Sequence, residues 1–371
     1  MSSVAGETKT VLLLQPELIS NEYKELHGIT KRTFTGGTKN LWLQIYSYLQ
    51  PSYGTRIELK CLCRLFNDVE KMITFNPNCS PLTPIPRGSY TVYPHPNPKY
   101  SSLRVLFGHI KGSTNIPKMV LIENGIHDEG GKYVTIDIPI SIIGESREHC
   151  IVIGGLHMRG KKEDDVNVSN LTLLNSKDKG VWNGVNGKYG VSMHLDNVSV
   201  ENSGGMGIFV NGNRNTMKNC NVSHSKNCGL FVGSGGLYGA SFHLDNVSVD
   251  NSGGIGIYVN GNRNTMKNCN VSHSKGSGLF VGGGGLMTID GNGTTIHHNC
   301  TSGNGYGLYA DPSSSIHLVL PLTVNEISKN NGGGGDSGGL GTITIISETK
   351  EDDDDSKKTY RLEANTIRLR F

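Results

Sequence analysis

The stretch "NTMKNCNVSHSK" stands at 215–226 and again, letter for letter, at 264–275. The copy extends well beyond it: residues 189–237 and 238–286 match at 41 of 49 positions. The differences are mild, among them Val191/Ala240, Met193/Phe242, Glu201/Asp250, Phe209/Tyr258 and Cys228/Ser277. A fixed period of this size marks a solenoid, in which each unit buries its apolar side only against its neighbours. The tripeptide Asn-x-Ser/Thr recurs at Asn170, Asn197, Asn221, Asn246, Asn270 and Asn299, at spacings of 27, 24, 25, 24 and 29. Around each lies an alternation such as Leu195, Val198 and Val200, or Met217, Cys220 and Val222. Such alternation gives short strands with one face buried. The period predicts coils of about 24 residues whose parallel strands stack ~4.8 Å apart.

Across Met119 to Ile346 this pattern resembles the right-handed parallel β-helix family. The segment "MVLIENGIHDEGGKYVTIDIPISIIGES" at 119–146 resembles the opening coils of pectin-processing β-helices. The chain is therefore expected to be mainly β, with the solenoid at 101–346 and a short helix at 101–110 capping its open end. Six glycans on stacked coils would crowd one another ~5 Å apart. The recurring Asn is accordingly read as a turn residue bonding its own turn and the Asn above and below.

Composition narrows the function. Lys plus Arg is 35 and Asp plus Glu is 32, a net charge of +3, which argues for neither a nucleic-acid binder nor an anionic-membrane binder. The only early apolar run, 11–14, is too short for a secretory signal, and no stretch approaches a membrane span. The expected compartment is cytoplasmic or nuclear, with the eight Cys reduced.

Ahead of the solenoid, 1–38 shows no periodicity and reads as a loosely ordered leader. At 39–75, Leu41, Ile45, Tyr48 and Leu49 fall on one helical face, and Leu59, Leu62, Cys63 and Phe66 on another, with Pro51 and Gly54 between. So short a segment cannot bury its own core, so it either packs on the solenoid or offers its apolar face to a partner. "IYSYLQP" followed by "LKCLCRLF" resembles the F-box, at Ile45, Tyr48, Leu49, Pro51, Leu59, Cys63, Arg64 and Phe66. The resemblance implies docking, through these residues and Leu62, to a Skp-type adaptor of a cullin-based ubiquitin ligase. Some F-box proteins carry β-helix repeats as the substrate module, and the order here is similar. Seven of the thirteen Pro lie in 77–98, so 76–100 reads as a semi-rigid linker. Residues 347–371, with an acidic run at 351–355, form a tail or a C-terminal cap.

Catalysis would need reactive groups that this pattern keeps apart. The sole Asp-Asp of the solenoid, Asp164-Asp165, sits in a charged turn. Asp196 and Asp245 share a column two coils apart, ~10 Å, and the same arithmetic separates His194 from His243, His224 from His273 and Cys220 from Cys269. His297 and His298, adjacent on a strand, are expected to face opposite ways. Cys61 and Cys63 lack a second metal-binding half. No catalytic group, metal or cofactor is expected.

One outer row remains. The motif recurs as "GVWN", "GIFV", "GLFV", "GIYV", "GLFV" and "GLYA". Aliphatics flank the aromatic, which places Trp182, Phe209, Phe231, Tyr258, Phe280 and Tyr309 in one external column. The column is either a self-stacking ladder or a target-binding stripe. Repeated cations (Arg214/Arg263, Lys218/Lys267 and Lys226/Lys275) suggest an acidic or phosphorylated segment as its ligand. The expectation is a non-enzymatic F-box-type adaptor whose β-helix holds the target. The alternatives are a carbohydrate-binding or polysaccharide-cleaving β-helix and a structural solenoid without a dedicated ligand.

Overall fold

The computed structural model describes 92–349, except 98, 115, 162–163, 177–182, 189, 212–213, 234–240, 262 and 304, and the backbone of Thr359–Arg361 and Thr366–Ile367. The segments 1–38 and 39–75, with every F-box-like residue from Ile45 to Phe66, lie outside the described residues.

From Val92 onward the chain winds about nine turns of parallel β-solenoid with three faces. The first face carries Arg214–Lys218, Ser241–Asp245, Arg263–Lys267 and Leu286–Asp290. The second carries Asn221–Ser223, Ser248–Asp250, Asn270–Ser272 and Thr295–His297. The third carries Ile208–Val210, Leu230–Val232, Ile257–Asn260, Leu279–Gly282 and Tyr306–Ala310. Each strand pairs in parallel with the strand one coil away, so the backbone bonds run between coils. In the interior, like side chains stack: Val200, Val222, Val249, Val271 and Ile296 below the second face, and Ile208, Leu230, Ile257, Leu279 and Leu308 below the third.

The coil length differs from the expected 24. Met193 pairs with Asn215 and Asn215 with Phe242, offsets of 22 and 27 whose sum is 49. The extra residues fall between the third and first faces, where the chain takes nine steps from Val232 to Ser241 but four from Val210 to Arg214. The duplicated unit is thus one short coil and one long coil, which is why the copies are 49 apart.

The turn asparagines shift accordingly. Asn170, Asn197, Asn219, Asn246 and Asn268 hold the left-handed conformation, φ 50–54°, at the corner between the first and second faces. Asn tolerates that region better than most residues with a Cβ. Asn197 donates to Asn170 at 2.8 Å, and Asn246 to Asn219 at 2.9 Å. Asn221 and Asn270, read from their tripeptides as members of this row, instead lie two residues later on strands. The buried Asn215 and Asn264 escaped the sequence reading. Their amide oxygens accept from the backbone N–H of Met193 and Phe242, at 3.1 and 2.9 Å.

The N-terminal end is covered by the helix Leu103–Gly112, which buries Leu103, Leu106, Phe107 and Ile110. The buried carboxylate of Glu129 accepts from the Leu103 N–H at 2.6 Å and from Arg104 Nε at 3.1 Å, anchoring that helix start to the solenoid. At the other end, Thr359–Arg361 and Thr366–Ile367 pair antiparallel with Thr342–Thr349, covering the edge of the last coil.

At the corner between the second and third faces, Ser176, Ser203, Ser225, Ser252 and Ser274 stack in a buried row. Their hydroxyls find no hydrogen-bond partner in the protein. Each of the middle ones fills the space a glycine leaves: a Cβ on Gly207 would stand 2.6 Å from Ser225 Oγ, and one on Gly229 2.6 Å from Ser252 Oγ. Removing an unbonded buried hydroxyl sacrifices no hydrogen bond. Ser225→Ala or Ser252→Ala is therefore expected to leave stability unchanged, or raise it by up to about 1 kcal/mol, in urea melts. A loss above about 1 kcal/mol would mean these hydroxyls are bonded after all.

Candidate functional site: a ring column and a histidine edge

On the third face, three-residue strands alternate cleanly. Ile208 and Val210 are wholly buried, and Phe209 between them points out, half-buried. The register aligns Phe209 with Phe231, Tyr258, Phe280 and Tyr309. Successive ring centroids lie 5.4, 4.8, 4.8 and 4.7 Å apart. The first and last pairs are stacked, whereas Tyr258 stands edge-on to both neighbours, at 77° and 86°.

Both ends of the column differ from the sequence reading. Trp182 lies outside the described residues, and in register the place next to Phe209 belongs to Asn186, because Val185 pairs with Ile208. At the other end Gly338 pairs with Tyr309. A Cβ on Gly338 would sit 2.3 Å from the Tyr306 ring, so that ring covers the position the glycine leaves empty. Tyr306 lies 5.6 Å from Tyr309 and makes a sixth ring. Its position one residue before a "GLYA" motif concealed it.

The repeated cations lie outside the ring-bearing strands, and Arg214 and Arg263 open strands of the first face. Lys218 and Lys267 alternate with Asp196, Asp245 and Asp290 along one column of the first face, with Lys267 Nζ 3.8 Å from Asp290. Adjacent coils thus offset each other's charge. His194 and His243 also point out from this face, each bonded through Nδ1 to a threonine one coil on, Thr216 or Thr265, at 2.8 Å. Cys220 and Cys269 are free, and burial pushes their thiols up to about 12 and about 11.

The edge where the second face turns toward the third is rich in imidazole. His224, His273 and His298 hold the same left-handed position, φ 53°, on different coils. That geometry corrects the expectation for His297 and His298: the left-handed residue breaks the strand's alternation, so the rings meet, with Nδ1 atoms 2.7 Å apart. Asp250 accepts from His273 Nδ1 at 2.9 Å and from Ser272 Oγ at 2.8 Å, with Asn251 also donating. Burial pushes the Asp250 carboxyl up, but these donors and the His273 charge outweigh it and hold it below the usual carboxylate range. In the sister copy Glu201 instead accepts from Ser199 Oγ at 2.7 Å. A groove of about 400 Å³ opens on this edge, lined by Asn202, Ser203, Gly204, His224 and Lys226. Among the described residues no group of three or more His, Cys, Asp or Glu could hold a metal ion.

The family description "Right handed beta helix region" matches residues 154–319 and 207–349, which together run from 154 to 349, or 196 of 371 positions. The chain belongs to the right-handed β-helix family. Among curated proteins no sequence matches this β-helix chain. Solved structures similar to it include the catalytic domain of an α-1,3-glucanase in complex with tetrasaccharides, at 12% identity and TM-score 0.39, covering 70% of this chain and 56% of that one. A complex of that catalytic domain with nigerose matches at 13% identity and TM-score 0.40, covering 74% and 49%. The A-module of a mannuronan C-5 epimerase of Azotobacter vinelandii matches at 11% and 0.37, covering 67% and 95%. The chain spans about half the length of the glucanase domains.

These are carbohydrate-active catalytic domains, and they overturn the expectation of a non-enzymatic F-box-type adaptor. The likeness itself is one of fold, so the chemistry has to come from this chain's own side chains.

Proposed function

We propose that this β-helix binds a linear polysaccharide along the axis of its third face and acts on it. The observation that supports the reading is the unbroken column of half-buried rings from Phe209 to Tyr309, prolonged by Tyr306. A contiguous exposed apolar strip is unusual on a soluble protein unless something covers it. Sugars present apolar C–H faces to rings and hydroxyls to the polar groups beside them, and their chains are as linear as the strip. Five rings one coil apart span about 19 Å at ~4.8 Å per coil, room for several sugars.

For chemistry, the carboxylates in the column of Asp196, Asp245 and Asp290 recur every second coil, ~10 Å apart, and Asp165, beside His194 at 3.5 Å, stands four residues out of that column's register. The column's spacing exceeds the ~5–9.5 Å used by paired-carboxylate hydrolysis. Asp250–His273 is the better candidate: the carboxylate holds the imidazole through Nδ1, which leaves Nε2 as the atom that takes or gives a proton.

Electrophoresis through gels containing single polysaccharides, with an assay for newly released chain ends, tests both halves. The wild type should be retarded by at least one polymer, and Phe231→Ser with Phe280→Ser should migrate freely. His273→Ala should keep the retardation and lose turnover at least about a hundredfold. Free migration of the wild type in every polymer would sink the proposal. Unchanged turnover in His273→Ala would move the chemistry elsewhere.

A further inference from the structure

We infer that the ligand of the ring column is a neutral polysaccharide whose extended chain repeats every two sugars. This rests on the reading of the rings as a glycan platform and names the class of glycan. The first observation is charge. Two residues beyond each ring stand Asn211, Gly233, Asn260 and Gly282, and then an acid, Asp311. Two residues before each ring stands a glycine: Gly207, Gly229, Gly256, Gly278 and Gly307. The ring-bearing strands themselves carry no cation; Arg214 and Arg263 open strands of the first face, and Arg159 and Lys188 pair in the coils that precede Phe209. The repeated Lys218 and Lys267 belong to the first face, in register with aspartates, and Lys226 lines the groove at the histidine edge. A uronate chain would lay about one carboxylate per coil along this strip with no cation in the ring strands to neutralise it and Asp311 at its end, an arrangement that disfavours binding. This replaces the expectation of an acidic or phosphorylated ligand, which counted cations without knowing which face they occupy.

The second observation is period. Asn211 and Asn260 each reach over a glycine one coil on. A Cβ on Gly233 would stand 3.0 Å from Asn211 Oδ1, and one on Gly283 1.9 Å from Asn260 Oδ1. Rings therefore recur every coil and amides every second coil, 49 residues apart. An extended pyranose chain advances by about one coil's rise, ~4.8 Å, per sugar. If alternate sugars face opposite ways, the same hydroxyl edge returns to the amide row every second sugar. A flat ribbon has that symmetry; a coiled chain does not.

Titration calorimetry of the full chain decides the matter, using hexasaccharides of three kinds: neutral and flat (β-1,4-linked mannose), neutral and coiled (α-1,4-linked glucose), and acidic (galacturonate or mannuronate). The flat neutral hexamer should bind with a Kd that does not change between low and high salt, as expected without ion pairing. Asn260→Ala should weaken it about tenfold, an effect of the size expected for losing one well-placed polar contact. Lys218→Ala and Lys267→Ala should leave it unchanged. Tighter, salt-sensitive binding of the acidic hexamer that still depends on Phe231 would overturn the neutral class and leave the glycan platform standing. Equal binding of the coiled neutral hexamer would overturn the two-sugar period. If no hexamer binds, or if all bind equally well to Phe231→Ser, the platform itself is wrong. Phe231→Leu, which keeps apolar bulk without a ring, with a circular dichroism melt, separates loss of the platform from loss of the fold.

Discussion

Ile208→Ser or Val210→Ser should destabilise the β-helix by about 4 kcal/mol, whereas Phe209→Ser with Tyr258→Ser together should cost about 2 kcal/mol. The difference follows from direction alone, since the residues alternate within three-residue strands. Ile208 and Val210 are wholly buried, packed in stacks that run through Leu230 and Ile257 or Val232 and Val259. Truncation there removes transferred methyl groups, leaves a cavity and buries a hydroxyl among aliphatics. The outer pair forfeits three ring contacts, Phe209 to Phe231 and Tyr258 to both neighbours. Each is worth about 0.5–1.5 kcal/mol, and less where water reaches the ring. Urea melts followed by β-sheet circular dichroism measure both. Should one outer substitution cost as much as one inner, the rings would be core and no strip would exist for a ligand.

That contrast was legible in the sequence because the third-face strands are short and each aromatic is bracketed by aliphatics. Other features were hidden for physical reasons. The solenoid was evident from the 49-residue copy, but its true units of 22 and 27 residues were not, since Asn-x-Ser/Thr also occurs two residues past the corner, at Asn221 and Asn270. Only the left-handed φ of Asn219 and Asn268 marks the corner itself. The upper end of the ring column was misassigned because "GVWN" mimics the motif, whereas hydrogen-bond register puts Asn186 opposite Phe209. Tyr306 was invisible because it substitutes for a glycine 32 residues later, a relation that exists only in three dimensions. The meeting of His297 and His298 needed the same information, since a left-handed residue cancels the alternation on which strand reasoning depends.

The first coil should lose stability as the pH falls from about 6.5 toward 4, and His95→Phe should remove most of that loss. His95 ends the strand Val92–His95, is 4% exposed, and its Nδ1 has no hydrogen-bond partner. Burial, with a smaller push from the His127 ring 5.2 Å away, lowers its pKa to about 4. An unfolded histidine titrates near ~6.5. Between those values the unfolded chain binds a proton that the folded chain refuses, so stability is full above pH ~6.5 and declines as the pH drops, levelling off below about 4. The whole shift corresponds to at most about 3 kcal/mol. His243, His297 and His317, whose pKa values burial also lowers, act in the same direction across the later coils. They are the reason the mutant profile should flatten rather than become level. Because each coil of a solenoid depends on its neighbours, the loss should begin as local opening at this end. Hydrogen exchange of the Met119–Ile122 amides, which pair with Val92–His95, should accelerate relative to those of Ile257–Asn260 as the pH is lowered, once intrinsic exchange is divided out. In His95→Phe the first segment should no longer accelerate relative to the second across that range. A ratio that shifts with pH in the mutant as it does in the wild type would acquit His95.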